Sequence, residues 1–399
     1  MRHIVLGIVL SLGLAGSPLY AQEISPSPLS GVIKADGLSA GVAFAEQQPD
    51  GDRKQFALGA LYTLQAVEHI LQVRYNNYSG RLPLVPGGTT QLRLNPNAKF
   101  DPAFIENALV GAADALATAQ GHLEDLGEDE FALVINLDDI WFDVDADGQR
   151  ADDEGLRAFL GAALNVPAPE EGQMPIVQFD RADGRWLLAY THVLQGMAEM
   201  VLSVDPTPAM TKVTDGVAHM RELGIVKRDP IFGDDNIIDT IAVIINALHG
   251  PADQTRTQKA LGHFQAMIAA NKEFWRLVAL EEDDQAEWLP NPSQQSAFGV
   301  PVTAEVAAGW QDVLDELESV LAGDALVPFW RVEGHNAASV GININKFLTA
   351  PGDLDLFLMV HGAAFAPYME KGRVVDIDVL ERFSELTGGQ GGMFALWFN

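Results

Sequence analysis

Between Asp143 and Glu154 the chain spaces its oxygen-bearing side chains as a hard cation requires. Asp143, Asp145 and Asp147 alternate, Gly148 follows, and Glu154 closes a twelve-residue window. Calcium takes roughly six to eight oxygens at about 2.3–2.6 Å. Alternating aspartates supply them because a tight loop turns every second side chain inward. Gly148 permits the positive-φ bend that wraps the chain over the ion. The expected ligands are the side chains of Asp143, Asp145 and Asp147, the backbone carbonyl of Gln149, and both carboxylate oxygens of Glu154. Ala151 has no side-chain oxygen, so water fills its place. The plain alternative is an acidic turn left to solvent, since the chain holds 55 Asp and Glu residues. Three aspartates, a glycine and a glutamate in one register favour calcium.

The residues after Glu154 continue the pattern. Leu156, Phe159, Leu160, Ala163 and Leu164 recur at helical spacing, and a carboxylate in the first turn of that helix suits the positive end of its dipole. Before the window, Phe131 to Asn136 is apolar and partly β-branched, and reads as strand or buried helix. Asp138, Asp139, Ile140, Trp141 and Phe142 come next. Over about twelve to twenty-two residues the segment resembles the EF-hand family. Where that family carries a branched apolar residue pairing with a second loop, this chain has Arg150, and no second complete loop is found. The likeness is to a solitary calcium loop, as in dockerin-like modules. It implies one calcium site, and in the dockerin-like case a cell-surface assembly module.

The elements around the loop read as mainly helical. A compact domain of about eight to ten helices with minor short β elements is expected over 51–399. Helices are expected from Arg53 to about Tyr78, from an Asp101 cap to about Leu126, and after Glu154. Asp180 or Asp183 caps a helix carrying Trp186, Leu187, Tyr190, Val193, Leu194, Met197, Met200 and Val201 at a 3.6-residue repeat. Pro206 and Pro208 interrupt. Further helices are expected over 210–223, 236–248, 253–280, from a Thr303 cap to Leu321, and over 376–387. Gln91–Leu94, Phe329–Val332 and Gly341–Ile344 read as short strands. Asp355–Val360 reads as strand or buried helix, and the apolar end Phe394–Phe398 as packed.

The N-terminus reads as an export signal over 1–21: Arg2, an apolar run from Ile4 to Leu14, then a breaking segment ending in Ala21, after which cleavage is expected. The run is too short for a membrane span. Residues 22–50, rich in Ser, Pro, Gly and Ala, read as a flexible arm. The absence of cysteine removes disulfides, thiolate metal sites and thiol catalysis, and fits a bacterial-type secreted or periplasmic protein. A formal charge of −30 argues against nucleic acid and anionic membrane surfaces as partners.

Other chemistry is sparse. No His-Glu-x-x-His, phosphate-binding loop or dinucleotide fingerprint is present. Gly121-His122-Leu123-Glu124 reads as helix surface. His335 and His361, with Asp353 or Asp355, are the candidate acid–base set. Asp234, Asp235, Asn236 and Asp239 read as a helix cap, and the acidic runs 124–130 and 281–284 as solvated helix ends. The leading expectation is an exported calcium-binding protein that acts in binding or interaction with an unknown protein or small molecule. The alternative is an exported hydrolase stabilised by calcium.

Overall fold

The computed structural model describes residues 24–77, 93–164, 167–225, 237–333, 339–389 and 392. The expected signal over 1–21, Gln91 and Leu92, Asp234 to Asn236, His335 and the 394–398 end lie outside the described residues. Those described form a mainly helical fold of twelve α-helices and three two-stranded antiparallel ribbons. The long helices are α1 (Pro28–Glu46), α2 (Asp52–Asn77), α3 (Phe104–Glu124), α5 (Arg181–Leu202), α6 (Pro206–Glu222), α8 (Gln254–Val278) and α9 (Ala304–Ala322). Shorter ones are α4 (Leu156–Leu164), α7 (Ile237–Ala247), α10 (Ile344–Thr349), α11 (Leu356–His361) and α12 (Ile377–Leu386). Strand β1 (Leu133–Asn136) pairs with β2 (Ile176–Phe179), β3 (His249–Pro251) with β5 (Asp353–Asp355), and β4 (Val340–Ile342) with β6 (Met369–Lys371).

The centre is the packing of α5 on α8, flanked by α3 and α2 on one side and by α9 on the other. A reciprocal capping box starts α5: Asp180 accepts from the Ala182 and Asp183 N–H groups, and Asp183 accepts from the Asp180 N–H. That satisfies amides the first turn leaves without helical partners. Asp253 caps α8 by accepting from the Thr255 and Arg256 N–H groups, and Thr303 caps α9 by accepting from the Val306 N–H. The buried stripe of α8 includes Ile268, Phe274, Trp275 and Val278. The Trp310 indole of α9 donates to Asn271 Oδ1 of α8 at 2.9 Å.

Several expectations need correction. The arm expected over 22–50 is largely the helix α1. Its small residues let it lie close against α2 and β1, and it bends at Gly37, at φ 80° and ψ −174°. Asp101 caps a turn rather than the helix, accepting from Ala103 N–H, and α3 starts at Phe104. The interruption expected at Pro206 and Pro208 falls between α5, which ends at Leu202, and α6, which the two prolines open because a first turn needs no N–H there. Phe329–Val332 is a turn, since Trp330 and Arg331 bond through their side chains to the carbonyls of Val360 and His361. Asp355 caps α11 at Leu358 N–H, so the following residues are helix. Among the described residues, no single helix is long and apolar enough to cross a membrane.

Phe274 is 0% exposed at the centre of this packing. Phe274→Ala should cost about 3–5 kcal/mol of stability, through lost transfer energy and an unfilled cavity. Leu280→Ala, at an exposed position just beyond α8, should stay within about 0.5 kcal/mol. Urea denaturation of both variants checks the contrast.

Candidate metal centre

The 143–154 loop stands on a backbone clasp. Strand β1 runs into a 3-10 turn at Leu137–Asp139, and Trp141 then bridges antiparallel to Gly155. Phe142 N–H donates to the Glu154 carbonyl and Leu156 N–H to the Ile140 carbonyl, both at 2.9 Å. The chain thus enters the loop from a strand and a turn and leaves it into helix α4. A helix on the entering side is absent, so the likeness to an EF-hand stops at the loop and its exit. Arg150, in the place of the family's apolar residue, turns back and donates to the Asp138 carbonyl at 2.7 Å.

The clasp and two positive-φ residues, Ala146 at 59° and Gly148 at 73°, curl the loop so that its aspartates converge. Asp143, Asp145 and Asp147 each offer an oxygen within 4.8 Å of the others, a group that could hold a metal ion. Asp143 Oδ2 accepts from Gly148 N–H at 3.1 Å, and Asp147 Oδ1 from Gln149 N–H at 2.8 Å. Asp143 Oδ1 and Asp145 Oδ1 are buried with no hydrogen-bond partner. Leaving an anionic oxygen buried and unpaired is costly, and a cation would relieve both at once. An all-oxygen, anionic donor set fits a hard ion better than a nitrogen- or sulfur-seeking one.

Glu154 is buried at the base of the loop, 1% exposed. Its Oε1 accepts from Val144 N–H at 3.0 Å and from Arg93 Nη1 at 3.1 Å, and its Oε2 from Ala151 N–H at 2.8 Å. The same Arg93 nitrogen lies 2.8 Å from Asp145 Oδ2. Gln149 is exposed near the tip. Three contributors have no motif in the sequence: Glu68, Gln72 and Arg93. Glu68 and Gln72 are four apart on one face of α2, and they hold both backbone groups of Asp143. Glu68 Oε2 accepts its N–H and Gln72 Nε2 donates to its carbonyl, each at 2.8 Å. Burial, with the nearby charges of Asp143 and Glu154, pushes the Glu68 carboxyl up to about 7.

The remaining candidates separate. His122 stacks on Tyr62 and bonds to Gln55 as ordinary helix packing. His361 is exposed at the end of α11. Asp355 lies instead 3.7 Å from His249, which is 73% exposed. A cleft of about 410 Å³ where α5 meets α6 is lined by Glu106, Ser203, Asp205, Asp253 and Arg256 among others, with no histidine.

The 281–284 run is not simply a solvated helix end. Glu281 turns inward and, with Asp180 and the buried Glu287, brings three carboxylate oxygens within 4.8 Å of one another. Burial first, then the charge of Asp180, pushes Glu281 up to about 8, and burial pushes Glu287 up to about 7. These groups keep protons when folded at a pH where the unfolded chain has lost them. Their contribution is therefore full below the ordinary carboxylate range and is lost as pH rises through about 7–8. In chelator, Glu281→Gln should melt above the wild type at about pH 8.5, and the gap should close by about pH 5; melting curves at both values check this. Compared with known proteins, the chain matches no family model, no curated protein and no solved structure.

Proposed function

We propose that this is an exported calcium-binding protein, acting by binding or interaction, in which the ion is a structural clasp for the 143–154 loop. The observation that carries the reading is the pair of buried, unpartnered oxygens on Asp143 and Asp145, with Asp147 beside them. Asp143, Asp145, Asp147, the Gln149 carbonyl and Glu154 would hold the ion. Bound calcium supplies positive charge that the clustered carboxylates lack. Export is supported by Arg2, the apolar run Ile4–Leu14 and the small residue Ala21. Outside the cytoplasm even a site with Kd of about 10⁻⁴–10⁻³ M is filled. The proposed partner is a protein or small molecule; the exposed setting of the His249–Asp355 pair gives the hydrolase reading little support.

Calcium at about a hundredfold above Kd should add roughly 2.7 kcal/mol of stability by mass action. Asp145→Ala combined with Glu154→Gln should abolish that gain while the helical core persists. Melting curves in calcium and in chelator, for both proteins, decide it; a wild type melting equally in the two conditions overturns the reading. Arg93 places a fixed positive charge on two of these carboxylates. Arg93→Gln should therefore tighten calcium about tenfold, by removing a competing charge, and lower the melting temperature in chelator. Calorimetric titration checks the first effect, and weaker calcium binding would contradict it.

A further inference from the structure

Away from the loop, three helices bring two imidazoles and a side-chain amide together. His192 of α5 and His263 of α8 face each other Nδ1 to Nδ1 at 3.0 Å. The side-chain amide of Gln120, on α3, lies 3.1 Å from the same His192 Nδ1. Gln120 and His192 are each 8% exposed, and His263 is half-buried, which leaves one side of the group open to solvent.

The hydrogen bonding here does not balance. A neutral imidazole Nδ1 carries either one lone pair or one proton in the ring plane. If His192 Nδ1 accepts, the Gln120 amide and the His263 N–H must share one lone pair. If it donates, a half-turn of the Gln120 amide presents its oxygen, and one proton serves two acceptors. In each arrangement two partners compete for a single valence. Glu199, whose charge acts on His263, does not resolve this. Glu199 is engaged by Arg256 at 2.9 Å and by Lys259 at 3.8 Å.

We propose that Gln120, His192 and His263 form a binding site for a divalent transition-metal ion of the nickel–copper–zinc group, separate from the acidic loop. One ion would accept both imidazole lone pairs and, after a half-turn of the Gln120 amide that brings its oxygen to where Nε2 now lies, the Gln120 carbonyl oxygen, so all three groups gain a partner. Imidazole nitrogen favours these ions over calcium or magnesium. Two nitrogens 3.0 Å apart, each about 2.1 Å from one ion, subtend about 90°, as tetragonal nickel or copper prefers; tetrahedral zinc needs them about 3.4 Å apart. The ligands must be neutral to bind. Burial and the neighbouring imidazole push His192 down to about 4, and burial lowers His263, so protons do not compete at neutral pH.

The test uses the full chain in millimolar calcium, which keeps the acidic loop occupied by a hard ion if it binds one. Nickel(II) is titrated calorimetrically, and substoichiometric copper(II) is followed by broadening of the imidazole ¹⁵N resonances. One nickel should bind, with affinity falling at least about a hundredfold in His192→Asn or His263→Asn and about tenfold in Gln120→Ala. Copper should broaden His192 and His263 first. The inference fails if the double histidine variant binds nickel as the wild type does. It also fails if copper broadens exposed His219 and His249 while His192 and His263 stay sharp. The resonance measurement needs no variant, so it stands even if a substitution disturbs folding.

Discussion

Helix α1 bends at Gly37, and the carbonyl of Ile33, four residues before the bend, accepts a further donor from Trp141. Its indole N–H reaches that carbonyl at 2.7 Å, and its ring fills the space beside Gly37, 3.1 Å from where a Cβ would sit. The tryptophan is 1% exposed, and leaving its indole N–H buried without this acceptor would cost about 1–3 kcal/mol. The same tryptophan forms the bridge that closes the base of the acidic loop, so the bend in α1 and the loop are fixed by one side chain. Other contacts reinforce the joint. The Ser30 hydroxyl donates to Asp139 at 2.7 Å and accepts from Asn136 N–H, and Ser27 N–H reaches the Val134 carbonyl.

Charge is the second constraint. With 55 acids against 25 basic residues, the fold does not give every buried carboxylate a counter-ion. It uses backbone amides first: Glu154, Asp183 and Asp52 each accept backbone N–H groups. Arginine is used sparingly, and Arg93 serves Asp145 and Glu154 together. What remains is met by protons, as at Glu281 and Glu287, or left open, as at Asp143 and Asp145.

The sequence reveals elements whose cause is local and conceals those whose cause is distant. The capping box at Asp180 and Asp183, the Thr303 cap, the α5 and α8 stripes and the aspartate convergence of the loop all lie within a few residues of the signal that announces them. The α1 helix is hidden because its partner is Trp141, and a Ser-, Gly- and Ala-rich stretch carries no apolar period of its own. Glu68, Gln72 and Arg93 are hidden because α2 and the segment before α3 meet the loop only in three dimensions. The inward turn of Glu281 is hidden for the same reason: four consecutive acids read as solvated unless the facing Asp180 is known.

The separation between Trp141 and Ile33 is 108 residues, and between Ser30 and Asp139 it is 109. Contacts that close long stretches of chain cost loop-closure entropy before the contact repays it. Helix α1 therefore cannot settle around its bend until everything through the loop's first limb has been made. A chain emerging N-terminus first keeps residues 28–46 waiting for a tryptophan that appears more than ninety positions later. The first helix of the described fold thus takes its bend only once Trp141 is in place, and one contact fixes both the N-terminal helix and the base of the loop.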